Sequence, residues 1–125
     1  MSEAIDKPLQ GRLDATPAGV RLCALDALAD PGARNFVLSI GGRYFHGFVV
    51  RHGQSVTGFV DRCPHMGLPL AKTLDDYLSP DGHVVCSWHG AIFDPTSGLC
   101  HGGPCLGARL TPWPVEVIDQ ILTTG

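Results

Sequence analysis

A chain of 125 residues fits one domain and is long enough to bury a modest core. Apolar residues make up 44% and charged residues 17%, the balance of a globular rather than a disordered chain. The net charge of −3 argues against nucleic acid as the main partner, and no apolar run reaches the ~18 residues that a membrane helix needs.

Residues 1–18, "MSEAIDKPLQGRLDATPA", contain no hydrophobic signal core and read as a flexible lead-in to a cytoplasmic domain over 19–125. Next, "CALDALADP" (Cys23 to Pro31) spaces Leu25 and Leu28 for one helical turn. The middle of the chain reads as β. "NFVLSI" (Asn35 to Ile40) puts Phe36, Leu38 and Ile40 on one face. "RYFHGFVV" (Arg43 to Val50) follows the hairpin signal Gly41-Gly42, and "SVTGFVDR" (Ser55 to Arg62) follows the turn at His52-Gly53. Short strands are expected at "HVVC" (83–86) and "GAIFD" (90–94), and a last hairpin at "PVEVI" and "ILTT". Sixteen glycines and ten prolines put turns between them, so the fold class is all-β, a sandwich or barrel of antiparallel strands.

Five cysteines cannot all pair within one chain. In a reducing cytosol, cysteines set beside histidines read as metal ligands. Two stretches have this form: "CPHMGLPLAK" with Cys63 and His65, and "CSWHGAIFD" with Cys86 and His89. Each begins where a strand runs into a Gly/Pro loop, so the four side chains can converge on one site. A single zinc ion could take them as a closed Cys₂His₂ tetrahedron. Each arm here is mixed, however, which suits a two-iron cluster with cysteines on one iron and histidines on the other.

The spacing C-x-H followed by C-x-x-H-G, with Phe93 four residues beyond His89, resembles the Rieske family over about Arg21 to Thr123. The resemblance implies stacked antiparallel β-sheets with two cluster-binding hairpin loops. It also implies one [2Fe–2S] cluster bound by Cys63 and Cys86 on the buried iron and by His65 and His89 on the outer one. The spacer between the arms is slightly longer than usual, and the excess is assigned to "DDYLSPDG" as a surface loop. "GGPC" (Gly102 to Cys105) resembles the proline loop that covers the cluster.

The branch of the family found in cytochrome bc complexes carries a disulfide between the cluster loops and hydroxyls toward the cluster sulfurs. At those positions this chain has Leu68 and Trp88, and Ala91 and Phe93. The resemblance is therefore to the ferredoxin-like branch, with a reduction potential on the order of −150 mV, the bottom of the Rieske range. No stretch is left for a separate mononuclear iron site. The chain then resembles a one-electron carrier, not itself an enzyme, between a flavin reductase and an oxygenase or similar terminal enzyme. An accessory or redox-sensing subunit of a larger oxidoreductase, and a zinc-binding interaction module, are the alternatives.

Among the other residues, Cys23 reads as core filler and Cys100 and Cys105 as semi-buried thiols. His46 and His52 read as structural or surface residues, and Asp75, Asp76 and Asp81 as a solvated acidic loop. Pro64, Met66, Leu68, Pro104 and Leu106 are expected to form an apolar rim for brief docking.

Overall fold

The computed structural model describes residues 12–13, 15–62, 70, 77–86, 90–103 and 106–125. Among these, helix is confined to one 3₁₀ turn, Leu25–Ala27, and everything else regular is β. The strands are β1 (Arg12–Leu13), β2 (Arg21–Ala24), β3 (Gly32–Ile40), β4 (Arg43–His52), β5 (Ser55–Val60), β6 (Val84–Val85), β7 (Ile92–Phe93), β8 (Cys100–Gly102), β9 (Pro112–Trp113), β10 (Val115–Ile118) and β11 (Ile121–Thr124).

They form three sheets. In the largest, β4 pairs antiparallel with β3 and β5, and β9 adds to β5. Within the stretch expected as a lead-in, Arg12 and Leu13 form β1, which pairs with the start of β4 in parallel, the one departure from antiparallel pairing among the described strands. The order β10-β11-β2 makes a second sheet and β6-β7-β8 a third.

The run "FHGFVV" explains why the large sheet is the middle layer. Successive strand side chains point to opposite faces. Phe45 and Val49 enter one core with Phe36, Val60, Trp113 and Leu122, against the β10-β11-β2 sheet. Phe48 and Val50 enter the other with Phe59, Tyr77, Val84 and Phe93, against the β6-β7-β8 sheet. A strand buried on both faces reads as a continuous apolar run, which β4 does from Phe48 to Val50.

Two glycines let these layers close. A Cβ on Gly47 would lie 2.7 Å from the Trp113 ring, and one on Gly58 would lie 2.5 Å from the Trp113 carbonyl oxygen. Trp113 fills that space, tilted against Phe45 at 4.7 Å between ring centroids. Its indole N–H donates to the Thr16 hydroxyl at 2.9 Å, which ties the chain before β2 to β9.

The three-stranded meander, the C-terminal hairpin and the turn at Leu25 and Leu28 match the sequence reading. The C-terminal hairpin turns on Asp119 and Gln120, both at positive φ (50° and 65°), as a primed two-residue turn requires. Arg51 holds the 3₁₀ segment on β4 by donating to the carbonyls of Leu25 and Leu28, each at 2.9 Å. Strands β8 and β9 have no alternating pattern of their own and are found only by their pairing. One expectation fails: "DDYLSPDG" is not wholly a surface loop. Asp75 and Asp76 lie outside the described residues, but Tyr77 is 2% exposed and Leu78 bridges to Val84. Among the described residues of this stretch, 79–82 forms an exterior turn, closed by Gly82 N–H to the Ser79 carbonyl at 2.9 Å.

Candidate metal centre

The second cysteine–histidine arm is a tight hairpin. Strand β6 delivers Cys86 with no exposed surface. The Cys86 N–H donates to the Ala91 carbonyl and the Gly90 N–H to the Cys86 carbonyl, both at 2.9 Å, so the chain leaves and returns at one point. Gly90 has φ +72°, which suits the closing position of such a loop. His89 and Trp88 fall between these closing bonds, outside the described residues.

Cys63, His65 and Leu68 of the first arm also lie outside the described residues, as do Pro64, Met66, Pro104 and Cys105. Asp61, two residues before Cys63, and Leu70, within the first arm, are described. Asp61 is 3% exposed, and its carboxylate accepts the Leu70 N–H at 2.9 Å. The same carboxylate accepts the Tyr77 hydroxyl at 2.8 Å and the Asn35 amide at 3.3 Å. The Asn35 amide also donates to the Tyr77 hydroxyl oxygen at 2.7 Å. Sequence reasoning missed this group. A signal existed: in "GFVD", Asp61 shares the parity of Phe59, which faces the core.

Tyr77 connects this group to the second arm. Its carbonyl accepts the Val85 N–H at 2.8 Å, one residue before Cys86. Its ring stacks on Phe48 with 4.2 Å between centroids and 9° between planes.

The loop after β8 meets the second arm at Ala91. Cys100 donates its N–H to the Ala108 carbonyl at 2.8 Å and accepts the Gly107 N–H at 2.9 Å. Beyond β8, Gly103 has φ +91° and lies so near the second arm that a Cβ would be 2.7 Å from the Ala91 Cα. The buried Cys100 thiol donates to the Gly102 carbonyl at 3.1 Å. Of the residues expected to form an apolar rim, only Leu106 is described, and it is 70% exposed.

Ala91 and Phe93 are fully buried and carry no hydroxyl. His83 and His101 face each other across β7 at 5.3 Å between ring centroids, and His83 Nδ1 lies 3.3 Å from Asp81. The Asp81 carboxyl is held below the usual range by its hydrogen bonds from Ser79 and His83. Cys23 packs at the edge of the Trp113 core, and burial pushes its thiol up against the opposing pull of Arg34.

A [2Fe–2S] group fits these residues. The described arm ends on a buried sulfur in a closed hairpin, a donor suited to iron. The loop after β8 meets that hairpin at a contact only glycine permits.

A family model described as the Rieske [2Fe–2S] domain matches residues 20–119. The fold is similar to the ferredoxin of carbazole 1,9a-dioxygenase from Nocardioides aromaticivorans IC177, with 22% identity, a TM-score of 0.67, and coverage of 87% of this chain and 98% of that one. It is similar to the Sphingomonas yanoikuyae B1 ferredoxin at 21% identity and a TM-score of 0.62, covering 85% and 96%. The terminal oxygenase of the Nocardioides system matches at 21% identity and a TM-score of 0.65, but this chain spans only 34% of it. No curated protein matches the sequence. With 100 consecutive residues matched, from Val20 to Asp119, the chain belongs to the Rieske [2Fe–2S] domain family.

Proposed function

We propose that this protein is a one-electron carrier in a reductase–oxygenase system, built as a single unit over 19–125. The observation that carries the reading is a shared fold over 98% of the length of a dioxygenase ferredoxin. A second solved structure, with 24% identity and a TM-score of 0.66, holds a reduced oxygenase in complex with an oxidized ferredoxin, which supports an oxygenase-type acceptor. A flavin reductase is the matching donor, and the cytoplasm the matching compartment. No described helix is long and apolar enough to cross a membrane.

Cys63 and Cys86 would hold one iron, and His65 and His89 the other. The bound cluster supplies a site that takes up and releases one electron. The chain does the rest. Burial of Cys86 keeps water from that ligand, and the closed 86–91 hairpin fixes where its backbone lies. Ala91 and Phe93 offer no hydroxyl to the cluster sulfurs, which favours a low potential because hydrogen bonds there stabilise the reduced form. Exposed Leu106 and Ile92 give apolar area for a small, short-lived docking contact.

The test is iron and acid-labile sulfide analysis of anaerobically purified protein, with electron paramagnetic resonance after dithionite reduction. About two irons and two sulfides per chain, with the signature of mixed His/Cys ligation, are expected. Zinc without sulfide overturns the reading in favour of a structural module. Reduction by a flavin reductase and turnover with an oxygenase test the carrier role. A permanent complex with a catalytic subunit would make it an accessory subunit instead.

A further inference from the structure

We propose that the Asp61–Tyr77 pair is a positioning device that sets the two ligand arms in register with each other. The inference rests on the carrier reading above, because it assigns these residues a role toward the cluster.

Tyr77 touches both arms at once. Its hydroxyl donates to Asp61, two residues before Cys63, and its carbonyl accepts from Val85, one residue before Cys86. Asp61 bonds in two directions: its own N–H is held by the His46 carbonyl of β4 at 2.9 Å, and its carboxylate takes the N–H of Leu70, which follows Cys63 and His65 in the first arm. One side chain thereby ties residue 70 to residue 61, and that side chain is hung on the residue that lines up arm two. Asn35 on β3 anchors the hydroxyl–carboxylate pair to the central sheet. The flat stack on Phe48 removes the remaining freedom of the tyrosine ring.

A buried carboxylate is an expensive way to hold a loop. Apolar residues of similar volume often stabilise a fold as well or better than a buried charge. What a carboxylate adds is direction, since one oxygen can face the loop and the other the tyrosine. That division is present here: Oδ1 takes Leu70, and Oδ2 takes Tyr77 and Asn35. Donor atoms from two loops must meet within tenths of an ångström to share one cluster, so a registry device serves that need.

Tyr77→Phe removes the hydroxyl and leaves the stack and the carbonyl. Asp61→Asn keeps an oxygen for Leu70 and turns the other position into a donor facing donors. The double variant Asp61→Asn with Asn35→Asp restores a donor–acceptor match with the carboxylate moved to residue 35. The measurements, on iron-loaded protein, are the rate of cluster release to a chelator, the g-values of the reduced state, and the melting temperature. Both single variants are expected to release the cluster at least about tenfold faster and to shift the g-values. The double variant is expected to lie closer to wild type than Asp61→Asn. Release rates and spectra unchanged in Tyr77→Phe overturn the proposal, as does a fall in melting temperature alone with the folded fraction's spectrum intact. Should the double variant not fold, Tyr77→Phe decides alone. A wild-type protein that takes up no cluster defeats the carrier reading itself, before any variant is compared.

Discussion

Gly103 meets Ala91 at a distance that leaves no room for a side chain: a Cβ there would sit 2.7 Å from the Ala91 Cα and 3.2 Å from its N. The loop after β8 and the hairpin after β6 are therefore interlocked through backbone. Gly103 also has φ +91°, which L side chains rarely adopt. Gly103→Ala is expected to cost about 1–3 kcal/mol from backbone conformation alone. It should also lift the loop after β8 and speed cluster loss. Chelator-release kinetics beside a thermal melt checks this, with Gly107→Ala as control: Gly107 has a similar φ but open space around its Cβ, so it should lose stability without the same effect on the cluster.

Among the described residues Trp113 is the largest fully buried side chain, and it stands where the large sheet meets the β10-β11-β2 sheet. Trp113→Ala is expected to destabilise by about 3–5 kcal/mol. Thr16→Val removes the oxygen that accepts the indole N–H and should cost about 1 kcal/mol. Denaturant unfolding measures both, and a near-zero effect of Trp113→Ala would contradict the two-core arrangement.

Asp94 accepts the N–H groups of Ser97 and Thr96, both at 2.8 Å, and these bonds hold its carboxyl below the usual range. A depressed folded value means that Asp94 stabilises the fold above its unfolded value, about 3.9, and that this contribution is lost as pH falls through the folded value. Solvent screening keeps the effect small. Asp94→Ala should cost on the order of 1 kcal/mol or less at pH 7 and flatten the acid limb of a stability–pH curve below about pH 4. Urea unfolding from pH 7 to pH 2.5 reads this directly.

Burial raises the Cys23 thiol above its ordinary value of 9.0, and Arg34 opposes the shift by charge and hydrogen bond. The thiolate is the reactive form. Alkylation of Cys23 at pH 8 should therefore be slower than that of a free thiol, and its rate should rise about tenfold per pH unit up to that raised value. Arg34→Ala removes the lowering influence and should slow it further. Peptide mass spectrometry after timed iodoacetamide treatment follows the site, and an accelerated Arg34→Ala reaction would reverse the assigned cause.

In the proposed carrier, Ala91 and Phe93 bear on the redox potential through the hydroxyls they lack. The wild type is expected near the bottom of the Rieske range, about −150 mV, and Ala91→Ser or Phe93→Tyr should raise it by on the order of tens of millivolts. Protein-film voltammetry gives the value. A wild-type potential above about +100 mV would contradict the ferredoxin-like assignment.

Much of this protein is set by local chemistry. The strands of the meander follow from alternation in "NFVLSI" and from the apolar run in "RYFHGFVV". Their turns follow from Gly41-Gly42 and Gly53, and the family from the spacing of Cys63, His65, Cys86 and His89. Each of these is carried by neighbours in the chain, so it can be read without the fold. Tertiary structure alone decided the rest. Asp61, Tyr77 and Asn35 lie up to 42 residues apart, and nothing local marks them as a set. Strands β8 and β9 exist because partners at Ile92 and Phe59 offer them hydrogen bonds. A buried charge and a two-residue strand are stable only when distant groups satisfy them, and which groups come close is a property of the folded chain.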